Sequence, residues 1–109
     1  MKNVVIANAF SINMIVPSGT TTLTLKPVDI DTIKDIIKGN DIISIVGHAD
    51  TAAVFSTLMG IDIPMNRVSW KWDNDDILIV GQLTGPRLPE GATTLPDGAS
   101  ITWWMVTKN

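Results

Sequence analysis

The sequence predicts a single compact α/β (α+β) domain covering residues 1–109, with a mixed β-sheet of about five to six strands flanked by two main helices. Three observations predict it. Apolar, β-branched runs recur at strand length, two segments between them carry apolar residues at helical spacing, and no linker divides the chain. Hydrophobic residues make up 45% and charged residues 17%, so a chain of this size can bury about two-thirds of its unfolded surface.

Asn3 to Asn8 is largely apolar and predicts a buried first strand. Ala9 to Val16 stays apolar apart from Ser11 and Asn13, and Pro17-Ser18-Gly19 marks a turn. Thr20 to Leu25 alternates threonine with leucine, as a half-buried strand does. Asp29 or Asp31 then caps a helix with Ile30, Ile33, Ile36 and Ile37 on one face, and Gly39 ends it. Ile42 to Val46 predicts the next strand. Gly47 and His48 follow it and lead into an apolar-periodic helix, Ala52 to Met59, closed at Gly60. Val68 to Trp72 alternates and predicts a strand with one wet face. Asp73 to Asp76 reads as a turn into Ile77–Val80, an unbroken apolar run expected at the centre of the sheet. Gly81 to Gly91 is expected as a loop rich in proline and glycine, and Pro96-Asp97-Gly98 turns the chain into a last strand, Ile101 to Thr107.

Composition narrows the chemistry. The net charge is −3 and no lysine or arginine block occurs, which argues against DNA or other long nucleic acid as a partner. The absence of cysteine excludes disulfides, thiolate zinc sites and cysteine nucleophiles. A single histidine without paired carboxylates lends no support to a catalytic metal, and Asp73 to Asp76 lacks the later glycine and glutamate of a calcium loop. No apolar stretch approaches the roughly 20 residues that span a bilayer, so no membrane partner is expected. With no secretion signal at the amino terminus, a cytoplasmic protein without a cofactor is the expectation.

His48 holds the most informative position. It falls at the carboxyl end of a predicted strand and the start of a helix, where ligands bind in open α/β sheets. Histidine also exchanges a proton near neutral pH. A polar helix cap or a satisfied core histidine accounts for the position equally well. Arg67 and Arg87 lie beside turns, and the prolines around Arg87 and Glu90 restrict their backbone. An arginine held in that way suits a phosphate, although a surface ion pair is the commoner use. Trp70, Trp72, Trp103 and Trp104 suit base stacking, core packing or a dimer interface.

Five stretches, taken in order, carry a resemblance. They are Ala7-Asn8-Ala9-Phe10-Ser11-Ile12-Asn13-Met14, Ser44-Ile45-Val46-Gly47-His48 with Thr51, Asn66-Arg67-Val68, Gln82-Leu83, and Arg87-Leu88-Pro89-Glu90-Gly91. From Val4 to about Gly91 the chain resembles the viral type III anti-CRISPR ring nuclease family. It departs at Gly85-Pro86, which adds a residue before Arg87, and in the tail that carries Trp103 and Trp104.

The resemblance implies a homodimer that binds cyclic tetra-adenylate and destroys it without metal, in the host cytoplasm if the chain is viral. It assigns His48 as the general acid, with Arg87 and Glu90 as its catalytic companions. Asn8, Ser11, Asn13, Gly47, Arg67 and Gln82 are implied as ligand-binding residues. A nucleotide-binding sponge without turnover and a dimeric protein-interaction module are the alternatives.

Overall fold

The computed structural model describes residues 3–17, 19–72 and 76–108. Its strands are β1 (Asn3–Ala7), β2 (Leu23–Val28), β3 (Asp41–Ser44), β4 (Ile77–Thr84) and β5 (Ser100–Lys108). They form one mixed sheet in the order β2-β5-β4-β1-β3. Strand β1 pairs in parallel with both β3 and β4, while β5 runs antiparallel to β4 and β2. Val4, Val5, Ile6 and Ala7 are all buried because β1 has a strand on each side and packing on both faces. The expected mixed sheet with two main helices is present, as five strands among the described residues.

Helix α1 (Ile30–Ile37) begins as its sequence requires. Asp29 is the N-cap, its Oδ1 accepting the Thr32 N–H at 2.8 Å, and Ile33 and Ile37 enter the core. Hydrogen bonds from Thr32 hold the Asp29 carboxyl below its usual range. The ionised cap therefore supports the helix above the ordinary carboxylate range, and that support fades as pH falls through the lowered value. Helix α2 (Ala49–Met59) buries Ala52, Val54, Phe55 and Met59 and ends at Gly60, whose φ of 73° is left-handed. Each large side chain so buried contributes roughly 1.5–3 kcal/mol.

Both helices cover the same face of the sheet. Ile33 and Ile37 from α1 and Ala52, Phe55 and Met59 from α2 pack with Val4, Ile6, Ile79 and Trp103. The other face has no α-helix among the described residues. There Val5, Ala7, Leu78, Val80 and Val106 pack with Trp72, beside the partly buried Met14, Ile15 and Trp70. The short 3-10 helix Ile12–Met14 and the segment around Trp70 therefore cover only part of that face.

Three expectations change. Val68 to Trp72 is not in the sheet. Its alternation arises because Trp70 and Trp72 pack against each other, ring centres 5.3 Å apart and tilted by 45°, while the Trp72 backbone N–H donates to the Met14 carbonyl. Gly81 to Thr84 extends β4 instead of opening the loop, since β5 pairs with it as far as Thr84 and Ser100. Strand β2 starts at Leu23 and runs through Pro27, which an edge strand tolerates because its missing N–H costs no ladder bond. Part of the Asp73 to Asp76 turn, and Ser18 of the first turn, lie outside the described residues.

Gly81 lies where β4 passes beneath the Phe55–Trp103 pair, whose ring centres are 4.7 Å apart. A Cβ there would lie 2.6 Å from Phe55 Cζ and 2.6 Å from Trp103 Cζ3. Gly81→Ala is expected to cost about 1–3 kcal/mol by overpacking. Calorimetry should show Tm lowered by roughly 4 °C or more; an unchanged Tm would mean that the rings part freely.

Candidate functional site

Because β1, β3 and β4 run in the same direction, their carboxyl ends open on one edge of the sheet. Asn8 follows β1, Gly47 and His48 follow β3, and the segment with Arg87 and Glu90 follows β4. This is the edge at which open α/β sheets bind ligands. The site thus gathers residues far apart in sequence without any unusual local structure.

His48 is the N-cap residue of α2 by backbone position. Its carbonyl accepts the Ala52 N–H at 3.0 Å, but its side chain makes no capping hydrogen bond. The imidazole is exposed. Neither a side-chain cap nor a satisfied core histidine describes it, and among the described residues its ring nitrogens are uncommitted. His48 instead lines an open cleft of about 370 Å³ with Asp50, Thr51, Leu83, Arg87 and Leu88. That volume is within the range of small-ligand sites.

Arg87 enters this cleft and forms no ion pair among the described residues. Arg67 likewise forms no ion pair among the described residues, and it lies over Gly47 with Cγ and Nε each 3.8 Å from where a Gly47 Cβ would be. Arg67 is carried there by a built segment. The Asn66 N–H donates to the Val46 carbonyl at 2.8 Å, Asn66 Nδ2 donates to the Ser44 carbonyl at 2.8 Å, and Ser44 Oγ donates to the Pro64 carbonyl at 2.6 Å. These bonds also cover the end of edge strand β3. Asn8 Oδ1 accepts the Gly47 N–H at 3.4 Å and ties the two strand ends together.

Other sequence-predicted residues lie elsewhere. Gln82 belongs to β4, and strand alternation turns it to the helix-free face, away from Leu83. There it lines a separate, mostly apolar cavity of about 210 Å³ with Phe10, Leu25 and Trp104. Ser11 Oγ accepts the Asn13 N–H at 3.2 Å and so caps the 3-10 helix, while the Asn13 carbonyl accepts from Lys71 Nζ. Asn13 lines a third depression with Lys71, apart from the His48 cleft. Glu90 is exposed and does not line the cleft. Its neighbour Gly91 is tied to the cleft residue Asp50.

Asp50 and Leu83 were not legible as site residues. An acid in the first turn of a helix reads as ordinary helix chemistry, and Leu83 falls in a stretch whose glycine and proline content predicts a loop. Among the described residues no group of three or more His, Cys, Asp or Glu side chains is placed to hold a metal. No helix among them is long and apolar enough to cross a membrane.

Residues 4–98 match the family described as STIV B116-like. A curated relative named "Uncharacterized protein 26", from Sulfolobus islandicus filamentous virus (isolate Iceland/Hveragerdi), is 31% identical over 75 residues. That stretch covers 69% of this chain and 63% of the relative, under two-thirds of its length. Among solved structures, B116 of Sulfolobus turreted icosahedral virus superposes with a TM-score of 0.76 at 27% identity, covering 96% of this chain and 98% of that one.

The contact between Gly47 and Arg67 separates fold from site. A Cβ at Gly47 meets only Arg67, at ordinary van der Waals distance. Gly47→Ala is therefore expected to change stability by less than about 0.5 kcal/mol, read from denaturant unfolding. A larger loss would make this glycine a requirement of the fold.

Proposed function

This chain belongs to the STIV B116-like family, and from that premise we propose that it is a metal-independent ring nuclease that opens cyclic tetra-adenylate. The observation that carries the reading is the uncommitted imidazole of His48, which shares one open cleft with the unpaired guanidinium of Arg87. A cation and a proton-transfer group at the carboxyl edge of parallel strands suit a phosphodiester.

The reaction is an internal transesterification. A ribose 2′-hydroxyl oxygen attacks the adjacent phosphorus, the bond from phosphorus to the 5′-oxygen breaks, and a 2′,3′-cyclic phosphate forms. The nucleophile belongs to the substrate, so the protein must only move protons and stabilise charge. His48 gives a proton to the departing 5′-oxygen, a role typically worth 10²–10⁴-fold. Arg87, with Arg67 over Gly47, meets the charge that grows on the non-bridging oxygens. Glu90 orients the 2′-hydroxyl or takes its proton. Asn8 and Gly47 border the same edge, and Ser11, Asn13 and Gln82 are assigned to hold other parts of the ring.

A four-nucleotide ring is larger than one cleft and contains a two-fold axis. A C₂ homodimer presents two such clefts to two opposite linkages, giving two linear di-adenylates. The helix-free face supports pairing with a second copy, since it leaves Leu25 56% and Phe10 40% exposed. Type III CRISPR immunity signals through this nucleotide, so its destruction in the host cytoplasm fits relatives encoded by viruses.

Purified protein incubated with labelled cyclic tetra-adenylate in EDTA is expected to yield di-adenylate ending in a 2′,3′-cyclic phosphate, resolved by chromatography. His48→Ala should retain binding and lose about 10²-fold or more of the single-turnover rate. Intact nucleotide that co-elutes with the unaltered protein would identify a sponge instead.

A further inference from the structure

Asp50 is the second residue of α2, where an acidic side chain ordinarily serves the free N–H groups of its own helix. Here it reaches away from the helix. Its Oδ1 accepts the Gly91 N–H at 3.0 Å, across 41 residues of sequence.

The donor comes from a turn with a defined shape. The Ala92 N–H donates to the Pro89 carbonyl at 3.0 Å, and Gly91 has a φ of 80°. Glu90 and Gly91 are thus the central pair of a turn whose third residue must adopt left-handed backbone. Such a turn leaves the N–H of its third residue without an internal partner, and Asp50 supplies one. Among the described residues this is the one hydrogen bond that joins segment 85–92 to α2. At the other end of the segment the chain leaves β4 at Thr84, paired with Ser100, and a Cβ on Gly85 would collide with the Gly98 carbonyl oxygen. One end is fixed by strand pairing and the other by Asp50.

We infer that Asp50 is a positioning residue that latches the 89–92 turn onto α2, holding Arg87 at the cleft lined by His48 and Glu90 in the turn beside it. The inference rests on the transesterification proposed above, in which Arg87 and Glu90 act on the substrate and Asp50 acts through them. An ionised acceptor makes the bond charge-assisted, but the latch requires only the oxygen. Asparagine keeps that oxygen at the same position and removes the charge.

The test compares the unaltered protein with Asp50→Ala, Asp50→Asn, Glu90→Ala and the Asp50→Ala/Glu90→Ala double variant. Single-turnover cleavage of cyclic tetra-adenylate and hydrogen exchange at the Gly91 amide are measured on each. Asp50→Ala is expected to release Gly91 to fast exchange and slow cleavage about 10–100-fold, as misplaced catalytic groups do. Asp50→Asn should keep Gly91 protected and stay within about threefold of the unaltered rate. The double variant should be no slower than Glu90→Ala or Asp50→Ala, whichever is slower, because the two residues act as one unit. Failure of asparagine to rescue, or a Gly91 amide already unprotected in an active unaltered protein, overturns the latch alone. If the unaltered protein does not cleave, the proposed reaction fails and the positioning role falls with it, whatever the exchange shows.

Discussion

The parallel pairing of β1 with both β3 and β4 is the constraint on which the rest of the molecule depends. Antiparallel neighbours would alternate their loops between opposite edges of the sheet. Parallel ones send every carboxyl end the same way, so Asn8, His48 and Arg87 meet although 40 and 39 residues separate them in sequence. Parallel strands in turn require crossover connections, and α2 is the one between β3 and β4. That helix begins at the functional edge and ends at the opposite one, so its first turn belongs to the site and its last turn only to the core. The burial pattern follows. Ala52, Phe55 and Met59 pack inward, while His48 stays exposed and Asp50 and Thr51 line the cleft.

The elements most legible in the sequence were those whose local chemistry and tertiary role agree. Asp29, four isoleucines at helical spacing and Gly39 specify α1 before any packing is considered. The run Ile77–Val80 declares a strand buried on both faces, and β4 does lie at the centre of the sheet. Position 48 was legible for a similar reason, because a strand, a glycine and an apolar helix in succession leave little choice of geometry. The failures share a different cause. Alternation in Val68 to Trp72 records one packed face, and a segment laid across a sheet has a packed face as surely as a strand within it. Gly81 looked like the start of a loop because sequence cannot reveal the Phe55 and Trp103 rings that require the absence of a side chain there. Asp50 was invisible as a site residue, since its partner lies in a loop that no periodicity brings near.

Gln82 carries a consequence for how any ligand must sit. Leu83 reaches the His48 cleft, and the residue before it in β4 necessarily faces the other side of the sheet. Within one subunit a ligand that touches both His48 and Gln82 must pass around the sheet edge. Ser11 and Asn13 lie beyond the helix-free face as well, in the stretch that follows β1. A compact nucleotide in the cleft meets neither. Under the proposed reading these residues act only on a ligand that extends over the edge, or on one shared with a second subunit. The size of a cyclic tetranucleotide and the two-fold symmetry of a dimer both meet that requirement.

The chemical character of the cleft points the same way. An exposed imidazole in an open site is surrounded by water, a poor setting for generating a strong nucleophile from water itself, because neighbouring charges are screened. It remains an adequate proton donor, since donation to a departing alkoxide needs only a positioned N–H. A reaction in which the substrate supplies its own nucleophile, already bonded one atom from the carbon that bears the 3′-oxygen of the linkage, is the kind such a site can serve. Proximity is then built into the ribose. Under the proposed reading, what remains for the protein is to place one proton, hold two arginines against a phosphate and keep the loop with Glu90 in register, and each of these tasks would fall to residues at the same edge of the sheet.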